Sequence, residues 1–516
     1  VNWENFLKKL CTSHFDWFVI AYLTIIIWGL YYYYYATIFD HWKKRGVKGP
    51  TPTFFFGNLK DVYLGRTSML DYIRKLYYEY EDEPMIGLFN MNQPYLLIKD
   101  PEYIRDIFIK DFSNFPDRNV LPNERVEPLS QHLFRLEETR WRPLRNRLSP
   151  VFASGKLKEM FHLLLECSEQ FERYLDEQVA KGEPIECREL TAKFTTDVIG
   201  SCAFGIEMNA ISMENSEFRK MGRTITKANW KKFIRDRIID NPFLFNTIGS
   251  FFVNDHVTKF FTRITKDVID YRIRHNLRRH DFMDALVELK LHPENLELND
   301  TFFAAQTYVF FAAGFEASST TITHSLYELA LNQDIQKKLR EDIKNALENT
   351  NGKITYESIK EMKYLQRFAQ EILRKYPPAL YIARTALSDY TFKGSNVHIS
   401  KGQKVFIPVY VIHHDPDIYP EPEVFDPERF NEENIGYRHP MHYLPFGEGP
   451  RKCIATRFAN YQTKMGIIAI LLSHQIDVCE KTEIPYVRDP KCAPVLQPNH
   501  GIHLQITKIK NILDET

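Results

Sequence analysis

A single cysteine is carried by the stretch Phe446-Gly447-Glu448-Gly449-Pro450-Arg451-Lys452-Cys453-Ile454-Ala455, just before an apolar run at 458–472 that predicts a helix. Gly447 and Gly449 permit positive φ angles and close backbone approach, so amide N–H groups can point at the sulfur. Arg451 and Lys452 are near enough in sequence to favour the thiolate. Such a loop can hold a metal thiolate. The alternative is a buried free cysteine, which is common in intracellular proteins.

The loop resembles the F-x-x-G-x-R-x-C haem loop of the cytochrome P450 superfamily in Phe446, Gly449, Arg451 and Cys453. Ala455 stands where that family usually has a final glycine. The resemblance implies haem b, the iron complex of protoporphyrin IX, as cofactor and Cys453 as its axial thiolate and metal ligand. It also implies that Phe446 and Arg451 help to bind the cofactor. A thiolate suits an oxygen-activating haem because its electron donation favours O–O cleavage.

Composition limits the possible functions of the chain. Its 516 residues include no Gly/Ser-rich or low-complexity linker, which favours one large core or two interlocked lobes. Lys plus Arg and Asp plus Glu both number 67, so no overall charge field favours nucleic acid. The cysteines lack C-x-x-C spacing, which argues against a zinc site or a disulfide framework and fits a reducing compartment. They are Cys11, Cys167, Cys187, Cys202, Cys453, Cys479 and Cys492.

The first apolar segment predicts a membrane anchor. Residues 17–39 carry no charge and are long enough to cross the hydrocarbon core of a bilayer as one helix. Charges before it cancel and basic residues follow it, so the positive-inside rule predicts a short lumenal N-terminus at 1–16 and a cytosolic body. The run from Tyr31 to Tyr35 would form an interfacial aromatic belt. A cleaved signal peptide is the alternative, but the run is too long and no A-x-A site follows it.

The rest of the sequence predicts a mainly α-helical fold with small β-sheets behind a single transmembrane helix. Residues 40–53 are expected to form a basic connector with Gly and Pro, and 54–516 the haem-thiolate catalytic domain. Two β-prone runs within 85–98 flank a turn and predict a small sheet. A long helix is predicted from an N-cap at Asn299 or Asp300 to about Asn332.

Trp141 and Arg145 lie four residues apart and would share one helical face. Alone, such a pair is more typical of surface packing. The same W-x-x-x-R spacing occurs in the cytochrome P450 superfamily, where the indole and guanidinium hydrogen-bond a haem propionate. Arginine suits this purpose because its planar charged fork matches a carboxylate. Arg384 resembles a second propionate-binding arginine of that family.

Basic residues around these motifs predict a docking surface for an acidic electron donor, with a solvated charged face as the alternative. They are Arg140, Arg142, Arg147, Lys452, Arg457 and Lys464. The resemblance implies NADPH–cytochrome reductase as the donor, with cytochrome b5 as an optional further partner.

The middle of the long helix predicts an oxygen pocket, because small residues there would let O₂ and a flat macrocycle approach. It resembles the family pattern A-G-x-[DE]-T in Ala313, Gly314 and Glu316. Ala317 replaces the threonine that assists proton delivery in the family. Ser318 lies about 100° further round the helix, so it would substitute only through a local bulge or a water. We therefore expect Glu316 and Ser318 to deliver protons with imperfect coupling.

Glu371 and Arg374 lie side by side at i, i+3 on a predicted helix. Such spacing arises easily by chance in a chain with 26% charged residues. The resemblance implies a buried triad of these two residues with Arg429. Its role would be structural, since an unpaired buried charge costs several kcal/mol.

Six ordered motifs thus resemble a membrane-anchored monooxygenase of the insect microsomal type. The resemblance implies insertion of one oxygen atom from O₂ into lipophilic substrates, which could be xenobiotics, plant toxins, insecticides or endogenous lipids. Electrons would come from NADPH through a reductase at the cytosolic face of the endoplasmic reticulum membrane. A haem-thiolate peroxide isomerase or dehydratase and a non-enzymatic haem sensor are the alternatives, and the former would suit the missing threonine.

The substrate itself is not specified by the sequence. We expect contacts from 113–132, 206–252 and 379–384, which are apolar enough for lipophilic compounds. The phenylalanine-rich run 241–261 predicts a substrate lid or a second membrane contact, with ordinary helix packing as the alternative.

Overall fold

The structure is a computed structural model that describes residues 3–118, 120–227, 230–239, 241–293, 298–489, 496 and 498–514, with side chains from residue 19 onward. Several features named above therefore lie outside the described residues. They are residues 1 and 2 of the N-terminal segment, the side chain of Cys11, Cys492, and positions 119, 228, 229 and 240 of the expected substrate regions.

Helices make up most of the body. The α-helices are Trp3–Phe39, Lys60–Tyr63, Met69–Glu79, Pro101–Arg105, Glu138–Leu148, Ser154–Glu159, Phe161–Val179, Cys187–Ile199, Glu217–Thr226, Trp230–Ile238, Pro242–Ile248, Asp255–Arg274, Phe282–Leu291, Asp300–Leu331, Gln333–Glu348, Tyr356–Glu361, Lys363–Lys375, Val409–His413, Glu432–Gly436 and Thr456–Leu471. π-Helical turns span Asp106–Lys110 and Gly200–Phe204. Short 3-10 helices span Lys43–Arg45, Phe112–Asn114, Pro128–Ser130, Ser149–Phe152, Gly249–Phe252, Pro427–Phe430, Pro440–His442 and Ile512–Asp514.

The strands lie in small sheets. A four-stranded sheet has the order Met85–Asn90, Gln93–Ile98, Lys404–Ile407, Ile382–Thr385. A three-stranded sheet has the order Ile185–Glu186, His503–Lys508, His474–Val478, and Tyr390–Thr391 pairs with His398–Ile399. The sheet predicted within 85–98 is confirmed as an antiparallel pair. The mainly α fold class with small β-sheets is confirmed as well.

The N-terminal helix runs from Trp3 to Phe39, and the segment Val19–Arg45 is long and apolar enough to cross a membrane. Its last turns pack on the body. The rings of Tyr35 and Phe54 lie 4.9 Å apart, and Tyr35 is only 6% exposed. Only part of the expected aromatic belt can therefore contact lipid, because Tyr35 packs against protein.

The connector after this helix lies on the four-stranded sheet. The indole N–H of Trp42 donates to the carbonyl of Leu88 at 2.9 Å. A Cβ at Gly49 would lie 2.0 Å from the carbonyl oxygen of Gly87, so only glycine fits there. The connector thus joins the folded body well before residue 54.

The long helix extends over Asp300–Leu331, with both predicted ends confirmed. At its start the Asn299 side chain accepts from the Phe302 N–H at 2.7 Å, and Asn332 is its C-cap. A Cβ at Gly314 would lie 2.4 Å from Cδ1 of Ile199. A Cβ at Gly466 would lie 2.8 Å from Cδ1 of Ile322. Glycines therefore let the long helix pack closely against Cys187–Ile199 and Thr456–Leu471.

The predicted charge triad is confirmed. Arg374 donates from Nε and Nη2 to the two carboxylate oxygens of Glu371 at 2.7 Å each, and both side chains are fully buried. The remaining Arg374 nitrogen, Nη1, donates to the His413 carbonyl at 2.9 Å. Nε of Arg429 lies 3.5 Å from Glu371. Because His413 also accepts from the Leu444 N–H, the triad supports the start of the cysteine-bearing segment.

We predict that Glu371→Gln destabilises the fold by about 3–5 kcal/mol, because it leaves buried guanidinium groups without a counter-charge. Denaturant unfolding measures this effect. Glu361→Gln is the matched control, since Glu361 is exposed on the preceding helix. Equal unfolding free energies for the two variants would contradict the structural role of the triad.

Candidate active site

The cysteine loop is shaped by its glycines. Gly447 and Gly449 have φ angles of 68° and 75°. A Cβ at Gly449 would lie 1.9 Å from the Phe108 carbonyl oxygen. The Cys453 N–H donates to the Phe446 carbonyl at 3.0 Å, which closes the loop on itself. The predicted positive φ angles and close backbone approach are therefore both present.

Cys453 is accessible although protein surrounds its thiol closely, and these two observations together indicate that the sulfur borders an internal cavity. Burial raises the pKa of this thiol, while the Ala455 N–H, the Thr456 hydroxyl and the cations Arg145 and Arg118 oppose that rise. The side chains of Arg451 and Lys452, expected to favour the thiolate, instead pair with carboxylates. Their partners are Asp117 at 3.3 Å and Glu448 at 2.9 Å.

Arginines cluster around this cavity, and they are Arg118, Arg145, Arg384 and Arg451. Arg384 is 1% exposed, yet its Nη1 donates only to the carbonyl of Ala383, and no described residue accepts from its buried Nε. Burial and the neighbouring Arg451 lower the pKa of Arg384 to about 9. Burial lowers the pKa of Arg451 to about 10, although Asp117 opposes this.

Two further nitrogens of this cluster, Nε and Nη1 of Arg451, are buried without a partner among the described residues. The guanidinium of Arg451 lies 4.1 Å from the centre of the Trp141 ring. Arg118 donates to the carbonyls of Phe134 at 2.8 Å and Arg451 at 3.2 Å. Since Asp117 is the carboxylate paired with the cluster, the cavity carries excess positive charge and fits an anionic group.

Arg118 was not identified from the sequence. The expected substrate region 113–132 contains it, but no local pattern distinguishes it from a surface arginine. It reaches the cavity because the chain from Phe115 to Glu138 returns to the cysteine loop, where the carbonyl of Leu136 accepts from Arg451 at 2.8 Å. A contact between two distant loops leaves no pattern among neighbouring residues from which it could be predicted.

Small residues line one face of the long helix. Ala313 is exposed and Ala317 is partly exposed, although residues 318–330 that follow them are buried. Such accessibility within a core helix indicates a face that borders an internal cavity. Gly314, predicted for this face, lies against Ile199, so interhelical packing is an additional reason for glycine at this position.

The two predicted proton donors have different partners. Glu316 accepts from Nη2 of Arg188 at 2.8 Å, and its side chain is 10% exposed. The Ser318 hydroxyl donates to Oε1 of Gln462 at 3.5 Å, on the helix that follows Cys453. Ala317 carries no hydroxyl. Within the described residues, Glu316 is therefore the acid placed on this part of the helix.

The expected basic docking surface is smaller than predicted. Lys464 is buried, and burial lowers its pKa to about 8, so it is not part of any surface patch. The burial arises because Lys464 lies on the inner face of its helix near Asp342. Arg140 and Arg142 each pair with nearby glutamates, whereas Arg457 is exposed.

The site combines an accessible cysteine, clustered arginines and a helix face of small residues. This combination is suited to binding an anionic group that carries a metal. The cytochrome P450 family profile matches residues 47–506. Cytochrome P450 6a2 of Drosophila melanogaster is 40% identical over 95% of this chain and 100% of the relative. Cytochrome P450 6k1 of Blattella germanica is 37% identical over 92% of this chain and 94% of the relative.

The chain therefore belongs to the cytochrome P450 family. It is a monooxygenase, an oxidoreductase that binds haem b through a cysteine thiolate. Family membership also implies a redox partner and a lipophilic substrate. The arginine cluster fits the two propionates of this cofactor, because its buried guanidinium nitrogens have unused hydrogen-bonding capacity.

We predict that Arg384→Leu weakens haem retention by about 1–3 kcal/mol, because it removes a buried charge-assisted donor. The haem-free protein should not lose stability, since one of several like charges buried together disappears. Haem content per chain and thermal unfolding of the haem-free form measure the two effects. Arg142→Leu, at an exposed and paired arginine, is the control. Equal haem retention in both variants would contradict a propionate role for Arg384.

Proposed function

We propose that Cys453 is the axial thiolate ligand of the haem. The supporting observation is that Cys453 is accessible and lies beside a cluster of arginines, of which Arg384 and Arg451 are buried with nitrogens that have no partner among the described residues. Arg118, Arg145, Arg384 and Arg451, with Trp141, would hold the propionates, and Phe446 would hold the loop through its carbonyl. Arg118 and Arg145 would also favour the ionised sulfur.

When bound, the haem supplies the oxygen-activating chemistry, and the protein supplies binding, orientation, exclusion of water and protons. Ala313 and Ala317 leave room at the helix face because neither has atoms beyond Cβ. Glu316 would release a proton towards the cavity and regain it from solvent. Its ion pair with Arg188 holds the carboxylate in place, so this pair would govern how readily Glu316 turns towards the cavity. Ser318 would act only through a water, because its hydroxyl bonds Gln462.

We further propose that the substrates are lipophilic xenobiotics such as plant toxins and insecticides, or endogenous lipids. NADPH–cytochrome reductase would supply electrons, with cytochrome b5 as an optional partner. Arg457 and Lys452 are exposed or partly exposed beside the cysteine loop, which supports docking of an acidic donor there. The protein would be bound to the endoplasmic reticulum membrane, with its catalytic body on the cytosolic side.

The proposed layout places residues 1–16 in the lumen, 17–39 in the bilayer, 40–53 as connector and 54–516 as the catalytic body. The largely exposed, apolar segment Val19–Arg45 supports the anchor. A second membrane contact is proposed near 241–261, where Phe243 and Phe251 are 77% and 62% exposed. Trp230 adds a third exposed aromatic ring close to Phe251.

The carbon monoxide complex of the reduced protein should show the red-shifted Soret band of a thiolate-bound haem, and Cys453→Ala should abolish that band. The reason is that, of the cysteines whose side chains the structure describes, Cys453 is the one beside the arginine cluster. Cys479→Ala is the matched control, because Cys479 is a partly exposed cysteine that directly follows the strand His474–Val478. If Cys453→Ala keeps the thiolate band, Cys453 is not the ligand.

Restoring a hydroxyl with Ala317→Thr should increase product formed per NADPH consumed and reduce the release of hydrogen peroxide. Glu316→Gln should have the opposite effect, because it removes the acid that we propose delivers protons. Substrate affinity should change little in Ala317→Thr. NADPH, O₂, peroxide and product are measured together on one substrate. High coupling in the natural chain that falls in Ala317→Thr would show that a different proton path operates.

A further inference from the structure

A loop and a pair of helices meet at the outer side of the candidate active site. The outer loop is defined here as residues 120–136, and the outer helices as Trp230–Ile238 and Pro242–Ile248. Both ends of the outer loop lie at the cavity, because Arg118 and the Leu136 carbonyl contact Arg451. Its middle is fixed to the long helix, where Gln306 donates to the Gln131 carbonyl at 2.8 Å. The part of the loop before Gln131 contacts the outer helices.

That contact contains an ionic group, which we call the Glu127 clasp, made of Glu127, Arg135 and Arg235. Nη2 of Arg235 donates to both carboxylate oxygens of Glu127, at 2.6 and 2.7 Å. Nη1 of Arg135 donates to the same carboxylate at 2.8 Å. The three side chains are only 14–19% exposed. One carboxylate therefore joins a guanidinium of the loop to a guanidinium of an outer helix.

Hydrophobic burial contributes little to holding this outer helix. Trp230–Ile238 has no buried residue, and Trp230 and Phe233 are largely exposed. A second polar link joins Asn123 to Asn246 of the neighbouring helix at 2.8 Å. Charge-assisted, partly desolvated bonds are stronger than neutral ones, so the clasp links the outer loop to the outer helices more strongly than the Asn123–Asn246 bond does.

We propose that the Glu127 clasp closes the route by which substrate reaches the cavity in front of Cys453, and so selects ligands by size. This inference rests on the proposed function, because it takes the cavity at Cys453 to be where substrate binds. A lipophilic ligand leaving a membrane would first meet the apolar outward faces of the outer helices. To go further it must pass between them and the outer loop, where the clasp is closed. A small ligand needs no such opening, whereas a bulky one requires the ion pairs to break.

The test uses the full-length, haem-loaded protein and two probes that bind haem iron, imidazole and the bulkier 4-phenylimidazole. Association and dissociation rates are followed by the change in haem absorbance. In Glu127→Gln, both rates for 4-phenylimidazole should rise several-fold together, while its equilibrium affinity and the rates for imidazole stay nearly constant. Arg235→Gln should behave in the same way, and the double variant should be no faster than either single variant. If Glu127→Gln fails to fold, Arg235→Gln carries the test, because its helix has no buried residue.

Arg237→Gln is the matched control for Arg235→Gln, because both variants remove one positive charge from the helix Trp230–Ile238. Arg237 donates to a backbone carbonyl of its own helix rather than to Glu127. Hydrogen exchange provides a readout that requires no ligand. Amides of 230–248 should exchange faster in Glu127→Gln than in Arg237→Gln, and amides of 456–471 should not change. The clasp is disproved if both probes respond equally, if the single effects multiply, or if the control matches Glu127→Gln. If Cys453→Ala kept the thiolate band, the proposed function would be contradicted instead. The hydrogen-exchange result would still test the clasp, because it does not depend on the haem.

Discussion

Several guanidinium groups lie close together beside Cys453, and among the described residues Asp117 is the carboxylate that pairs with them. Much of the structure depends on that imbalance of charge. Burial and the neighbouring charge of Arg451 lower the pKa of Arg384, and the fold must hold these groups there at a cost in stability. The constraint is met by rigid surroundings. Arg118 just before the outer loop, Arg451 of the cysteine loop and Arg384 of the strand Ile382–Thr385 come from three separate segments, and direct hydrogen bonds join these segments. A dianionic cofactor would relieve the repulsion, so cofactor binding and folding are expected to be strongly linked.

The second supporting element is the ion pair between Glu371 and Arg374. It lies far along the chain from Cys453, yet its hydrogen bond to His413 connects it to Leu444, just before the cysteine loop. Burial of such a pair gives little net stability compared with apolar packing. Its contribution is to fix one arrangement of the chain, because any other arrangement would leave a charge unpaired.

Features with short-range patterns could be predicted from the sequence. The apolar run at 17–39, the Asn299 cap and the glycines of the cysteine loop each depend on local chemistry, and the structure has a helix, a cap and positive φ angles at those places. Features that depend on distant contacts could not be predicted. Arg118 enters the cavity by loop closure, Lys464 becomes buried on the inner face of its helix, and Gly314 packs on Ile199. Residue type alone does not distinguish a surface lysine from a buried one, since the difference lies in which helix face meets the core.

The docking of the N-terminal helix on the body has a mechanical consequence. Tyr35 packs on Phe54, and Trp42 is hydrogen-bonded to the sheet at Leu88, so the end of the helix is fixed directly to the body by side-chain contacts. The tilt of the helix in a bilayer would then set the angle at which the body rests on the membrane surface. A thicker bilayer, by making the helix more upright, would rotate the body and change which of its faces touches lipid.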